Sequence, residues 1–187
     1  MKKQYLYTTE RLGMRTWLDS DLEPMALLNQ DSDVMEYFPI KPDRSQSKSF
    51  IERMQKMYAE KGYCYFAVDA LDDNKFIGFI GIAYQDYDVS FAPFTDIGWR
   101  LQSSAWGQGF ATEGARATLQ YAFVDLRLTE IYALASEQNK KSEKVMQKIG
   151  MKKLDSFDHP KLLSYPDIKR CCLYRISSDH YKAELKK

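Results

Sequence analysis

The segment Asp96-Ile-Gly-Trp-Arg-Leu101, followed by Ala105-Trp-Gly-Gln-Gly-Phe-Ala-Thr-Glu113, constrains the fold more than any other stretch of this chain. It reads as a strand end, a glycine-punctuated loop and a helix start. A junction of this kind gathers unpaired backbone N–H groups at the positive end of a helix dipole, which suits a bound phosphate. Gly107 and Gly109 remove side chains that would hold an anion away from the backbone. Beyond the loop, Ala115, Leu119, Ala122, Phe123 and Leu126 recur at the spacing of one apolar helix face.

The residues after the glycines exclude two common phosphate loops. A P-loop requires Lys-Ser/Thr after its second glycine, but the pair Gly109 and Gly114 is followed by Ala115 and Arg116. A dinucleotide fingerprint requires a small third residue at position 112, where Thr112 stands. Ser104-Ala-Trp-Gly107-Gln-Gly109 instead resembles the pyrophosphate loop Q/R-x-x-G-x-G/A of the GNAT acetyltransferase superfamily. The longer run W-G-Q-G-F-A-T-E is similar to the RimJ/RimL-type N-acetyltransferases, which modify protein N-termini or small amines. Ser104 departs from the Gln or Arg of that motif; a backbone cradle does not depend on it.

Further segments resemble the family in order. Thr9-Glu-Arg-Leu-Gly-Met-Arg-Thr-Trp17 with Asp21 is similar to its opening strand, and Val34-Met-Glu-Tyr-Phe-Pro39 to its first helical segment. Asn139-Lys-Lys-Ser142, Val145-Met146 and Lys148-Ile-Gly-Met151 resemble its second cofactor-binding helix. Phe157-Asp-His-Pro160 and Leu173-Tyr-Arg175 resemble its closing hairpin.

Hydropathy gives a consistent chain of elements. Leu12, Met14 and Thr16 alternate with polar or small residues as in a half-buried strand. Asp19-Ser-Asp21 offers N-caps for a helix through Met25 and Leu28, and Ser45-Gln-Ser47 a start for a second helix ended by Gly62. Tyr65–Val68 and Phe76–Ile82 flank a turn as a hairpin, with Gly78 and Gly81 marking a bulge or a close backbone approach. Residues 85–95 read as a loop and Asp96–Leu101 as a strand. After the long helix come a buried strand from Glu130 to Ala135, a helix from Ser142 to Lys148 and two strands, Met151–Phe157 and Arg170–Ile176. This order implies a single α/β (α+β) GNAT domain over residues 1–187. Its mixed sheet would have about seven strands with helices on both faces.

Charge and cysteine content narrow the partners. With a net charge of +1, nothing global points to nucleic acid or a membrane surface. No apolar run is long enough to span a bilayer, and Met1-Lys-Lys-Gln is not followed by an apolar signal region. Cys64, Cys171 and Cys172 form neither a disulfide framework nor a metal-ligand spacing, so a reduced, cytoplasmic, metal-free protein is expected, as monomer or homodimer.

The resemblance implies acetyl transfer from acetyl-CoA to a primary amine, a peptide N-terminus or a small molecule. The backbone of Trp99, Arg100 and Leu101 would hold the pantetheine arm. Gly107, Gln108, Gly109 and Ala111 would present amides to the pyrophosphate, helped by the Thr112 hydroxyl. Asn139 would bond the cofactor's amides or cap a helix. Lys140, Lys141, Lys144, Lys148, Lys152 and Lys153 form either a solvated face or partners for the ribose phosphate. Ser142 stands where the branch usually has a serine that protonates the departing thiolate; a helix cap is the competing role. Asp96 or His159 is the candidate base, each with an alternative as a turn residue. A peptide α-amine titrates near 7.7–8.0 and a lysine side chain near 10.4, so a carboxylate base matches the α-amine better. The rival to the enzyme is a non-enzymatic acyl-CoA-binding or sensory module.

Overall fold

The computed structural model describes residues 4–184. Its strands are β1 (Tyr7–Thr8), β2 (Leu12–Arg15), β3 (Tyr65–Ala70), β4 (Lys75–Gln85), β5 (Phe94–Leu101), β6 (Glu130–Ser136), β7 (Lys152–Asp158) and β8 (Arg170–Ser177). They form one eight-stranded sheet in the order β1-β2-β3-β4-β5-β6-β8-β7. The strand beyond the expected seven is β1, two residues long, which is too short to leave a periodic signal. Every neighbouring pair is antiparallel except β5 and β6, which run parallel and register only at Asp96↔Tyr132. Beyond that point the two strands part, and their edges open a V in the middle of the sheet.

Five α-helices cover the sheet: α1 (Leu22–Gln30), α2 (Arg44–Lys61), α3 (Phe110–Gln120), α4 (Lys140–Lys148) and α5 (Ser178–Glu184). Helix α2 starts before the expected serines because Asp43 caps it. The Asp43 carboxylate accepts from Gln46 N–H at 2.7 Å, and the Gln46 side chain accepts from Asp43 N–H at 2.9 Å. Gly62, at φ 76°, ends it as expected. Helix α3 continues into a π-turn over Tyr121–Asp125, and its apolar stripe (Ala115, Leu119, Ala122 and Phe123) is buried. Residues 34–39, which resemble a helical segment in sequence, form turns and a bend between α1 and α2. Asp21 serves as a buried ion-pair partner: Arg15 lies between Asp21 and Asp69 at 2.6 and 2.8 Å, with all three side chains sealed from water. Removing one partner from such a group would leave an uncompensated buried charge.

Gly78 shows why β5 sits where it does. At φ 141° it adopts a backbone that other residues rarely do, and an added Cβ would lie 2.1 Å from the Arg100 carbonyl oxygen. The bulge expected near this glycine is on β4 itself: Val68 pairs with Gly78 and Asp69 with Phe76, which leaves Ile77 as the extra residue. Gly78→Ala is therefore expected to destabilise the fold by about 1–3 kcal/mol, read as a lower urea midpoint at unchanged m-value.

Candidate active site

The V between β5 and β6 opens into a cavity of about 860 Å³, walled by Trp99 to Leu101 on one side and Leu134 to Ser136 on the other. Most of the residues picked out by sequence converge on it. Gly107, Gly109, Ala111 and Thr112 line its mouth at the start of α3, and Asn139 and Ser142 line it from the start of α4. Asp96 and His159 also border it. Gln108 is absent from the wall: its side chain donates to Ser104 O at 3.0 Å, and its carbonyl accepts from Arg11.

The pairing of β4 with β5 decides which backbone groups face the cleft. Gln102 N–H donates to Ile77 O at 2.8 Å, and the register then pairs Arg100 with Phe79. Backbone direction alternates along an antiparallel pair, so the N–H and C=O of Arg100 point to β4, while those of Trp99 and Leu101, beyond the Asp96↔Tyr132 pairing, point to the cleft. The Leu101 carbonyl accepts from the Trp106 indole at 3.0 Å, which fixes Trp106 as a wedge beside the loop. Sequence reasoning groups Arg100 with its neighbours as a backbone donor. The geometry gives it a side-chain position on the cavity wall instead.

Gly107 and Gly109 lie at φ 75° and 82°, left-handed conformations in which a side chain is strained. Their loop is braced by Arg11, which in sequence reads only as part of the opening strand. Arg11 pairs with Glu113 in the first turn of α3, donates to Gln108 O at 3.0 Å and lies 4.6 Å over the Phe110 ring. Thr9 adds a hydrogen bond to Glu113 at 2.5 Å. Arg11 stands some hundred positions upstream of its partners, so no local signal marks the pair. Because Arg11 is half-exposed, Arg11→Ala is expected to raise the acetyl-CoA KM only by about twofold to fivefold, with kcat nearly unchanged.

Asp96 occupies the vertex of the V. Its Oδ1 accepts from Tyr65 O–H at 2.6 Å and from Gln85 Nε2 at 3.1 Å. Burial pushes its pKa up to about 6 against the pull of those two hydrogen bonds. It borders the cavity, yet protein surrounds it on its other sides. Tyr65 and Gln85 lie 31 and 11 positions away, and only the strand register brings them to the carboxylate.

His159 is placed differently. Its Nδ1 accepts from Lys161 N–H at 3.2 Å and caps a short helical turn begun by Pro160, the structural role weighed for this turn. Its ring lies 4.9 Å from Tyr87 and 6.0 Å from Phe157. Burial and then the charge of Lys161 pull its pKa below the usual histidine value. Asn139 caps α4, accepting from Ser142 N–H at 3.0 Å through Oδ1. Ser142 is therefore inside the first turn, which removes its own capping role and leaves its side chain on the cavity wall. Of the nearby lysines, Lys141, Lys144 and Lys148 border the cavity, while Lys140 and Lys153 pair with Glu143. Among the described residues no group of three or more His, Cys, Asp or Glu side chains is arranged to hold a metal, and no helix is long and apolar enough to cross a membrane.

A sheet split at a parallel pair, with a glycine loop and a helix start at its mouth, defines an acyltransferase of the GNAT type. The acetyltransferase (GNAT) domain family matches residues 11–152, and the chain belongs to that family. It is 32% identical over 148 residues to the uncharacterized N-acetyltransferase YnaD of Bacillus subtilis (strain 168), covering 78% of this chain and 82% of that one. Among solved structures it resembles a GNAT-family acetyltransferase from Bacillus anthracis, with TM-score 0.76 and 26% identity over 92% of this chain and 98% of that one. RimL, a ribosomal L7/L12 alpha-N-protein acetyltransferase solved with coenzyme A, shares the fold at TM-score 0.76 and 12% identity, over 95% and 99% of the two chains. The protein is an N-acetyltransferase of this family.

Proposed function

We propose that the protein transfers the acetyl group of acetyl-CoA to a primary amine by direct attack, in the manner of the RimJ/RimL-like branch. The observation that carries this reading is the position of Asp96 at the vertex of the V, where the cleft-facing backbone of β5 begins. The N–H and C=O of Trp99 and the N–H of Leu101 bind the pantetheine arm as an added strand, the Leu101 carbonyl being taken by Trp106. The amides from Gly107 to Ala111 and the Thr112 hydroxyl hold the pyrophosphate at the start of α3. Asn139 keeps Nδ2 for the cofactor's amides, because Oδ1 is committed to the helix cap. Lys141, Lys144 and Lys148 border the cavity, which supports them as partners of the ribose phosphate.

Asp96 takes the proton from the attacking amine, directly or through one water, as the carbon–nitrogen bond forms. A pKa near 6 leaves it mostly ionised at neutral pH while keeping it a stronger base than an exposed carboxylate. His159 is the poorer base, since one ring nitrogen already accepts a backbone proton. A cleft-facing N–H of β5 meets the developing oxyanion. The carbon–sulfur bond then breaks, and the Ser142 hydroxyl donates to the departing thiolate.

Release of free CoA thiol from acetyl-CoA, measured with N-terminal peptides, polyamines, amino acids and aminoglycosides, tests the reading. Acceptor-dependent release that strengthens from polyamines to α-amines supports it. Acetyl-CoA binding without release for any acceptor overturns it.

A further inference from the structure

Arg100 is a half-buried cation without a counter-ion among the described residues. Asp96, Gly98 and Arg100 share one face of β5, as alternate residues of a strand do. From that face Arg100 Nη1 donates to Asn29 Oδ1 at 2.6 Å, and Asn29 in turn donates to Ser47 Oγ at 2.9 Å. The guanidinium lies 4.0 Å over the Phe38 ring and 5.5 Å from Phe79. Its Nε is buried and is the only described side-chain nitrogen or oxygen of that kind lacking a hydrogen-bond partner. No carboxylate of the described residues pairs with it; Asp33, on the cavity rim, is exposed. Burial pulls its pKa down to about 10, so it remains charged at neutral pH.

Such a group costs stability unless something is gained when the cavity fills. Resting on the proposed transfer to an amine, we infer that Arg100 recognises the acceptor: the preferred acceptor carries a carboxylate that pairs with its guanidinium while its amine faces Asp96. A carboxylate fits better than a tetrahedral phosphate. Phe38 and Phe79 lie against the guanidinium, and the unpartnered Nε–H donates in the guanidinium plane, where a planar anion bonds side-on. Four residues of strand separate Asp96 from Arg100 by about 13 Å of backbone. The carboxylate therefore belongs several bonds from the reacting amine, as in an acidic side chain of a short peptide, and not one carbon away as in a free α-amino acid.

Paired acceptors that differ only in that charge test the assignment: 6-aminohexanoate against 6-aminohexanamide, and glycine against glycinamide. The readout is the ratio of kcat/KM within each pair, in which any common effect on acetyl-CoA binding cancels. Arg100→Met is expected to lower the 6-aminohexanoate ratio about tenfold to a hundredfold and to leave the glycine ratio unmoved. Arg100→Lys, which keeps charge without the fork, should fall between. Equal loss for both members of the longer pair overturns the inference, as does a ratio that does not change. A parallel calorimetric titration of the CoA-saturated protein with 6-aminohexanoate separates the two readings. If no acceptor is turned over but binding weakens tenfold or more in Arg100→Met, the transferase reading fails and the anion site stands. Binding that is absent, or indifferent to the variant, overturns the site.

Discussion

Asp96→Asn is expected to lower kcat/KM by about 10²–10⁴-fold while the affinity for acetyl-CoA stays within about twofold. The amide is nearly isosteric and still accepts from Tyr65, so the vertex of the V keeps its shape while losing its base. Wild-type activity should rise with pH through about 6, as the buried carboxyl ionises, and this limb should vanish in the variant. Stability should move the other way. Because burial raises the folded-state pKa above that of the unfolded chain, the folded protein retains a proton that the unfolded chain has released between about pH 4 and 6. The stabilisation is complete below the unfolded value and is lost as pH rises through about 6. Asp96→Asn should therefore melt above the wild type at pH 8, and the two melting curves should converge near pH 4. A variant that lost both activity and stability at pH 8 would show that Asp96 is a structural anchor and not the base.

Ser142→Ala is expected to lower kcat about tenfold to a hundredfold without changing the dissociation constant of acetyl-CoA. The hydroxyl acts on a leaving group that becomes charged only late, so its contribution belongs to the transition state. A free thiol titrates near 8.5, so the thiolate is a moderate leaving group and one charge-assisted hydrogen bond of about 1.5–3 kcal/mol is the size of help it needs. Asn139 already caps α4 through Oδ1, so the helix start does not depend on the serine hydroxyl. This separates the chemical role from the structural one. If kcat is unchanged while the melting temperature falls, Ser142 works only inside the helix. Ser142→Cys offers a graded check, since its thiol is a weak donor and should restore little of the rate.

The two variants probe opposite sides of one cleft. Asp96 comes from the strand that carries the cleft-facing backbone, and Ser142 from the helix after the strand that diverges from it. Neither position has meaning without the split between β5 and β6. Only one residue pair, Asp96↔Tyr132, joins those strands, and the carboxylate lies where the pairing stops. The site is thus a consequence of topology: a parallel pair set within an otherwise antiparallel sheet lets two edges diverge without leaving buried strand groups far from the cavity.

The sequence by itself determined the elements whose signals are local. The glycines at 107 and 109, the apolar stripe of α3 and the Gly62 stop are legible because backbone conformation and helix period are set within a few residues. The Asp43–Gln46 capping box is equally local; Ser45 and Ser47, being good caps themselves, draw the expected boundary later. The order of strands along the chain also follows from alternation and turn residues, apart from the two-residue β1. Tertiary structure alone decided the rest. Tyr65 and Gln85 reach Asp96, Arg11 reaches Glu113, and Asn29 reaches Arg100 across separations that no periodicity encodes. Whether Arg100 offers its backbone or its side chain to the cleft depends on strand register, and a shift of one residue would exchange the two. Local conformational preference writes helices and turns into the sequence; charge partners and cleft-facing edges exist only once the sheet has been assembled.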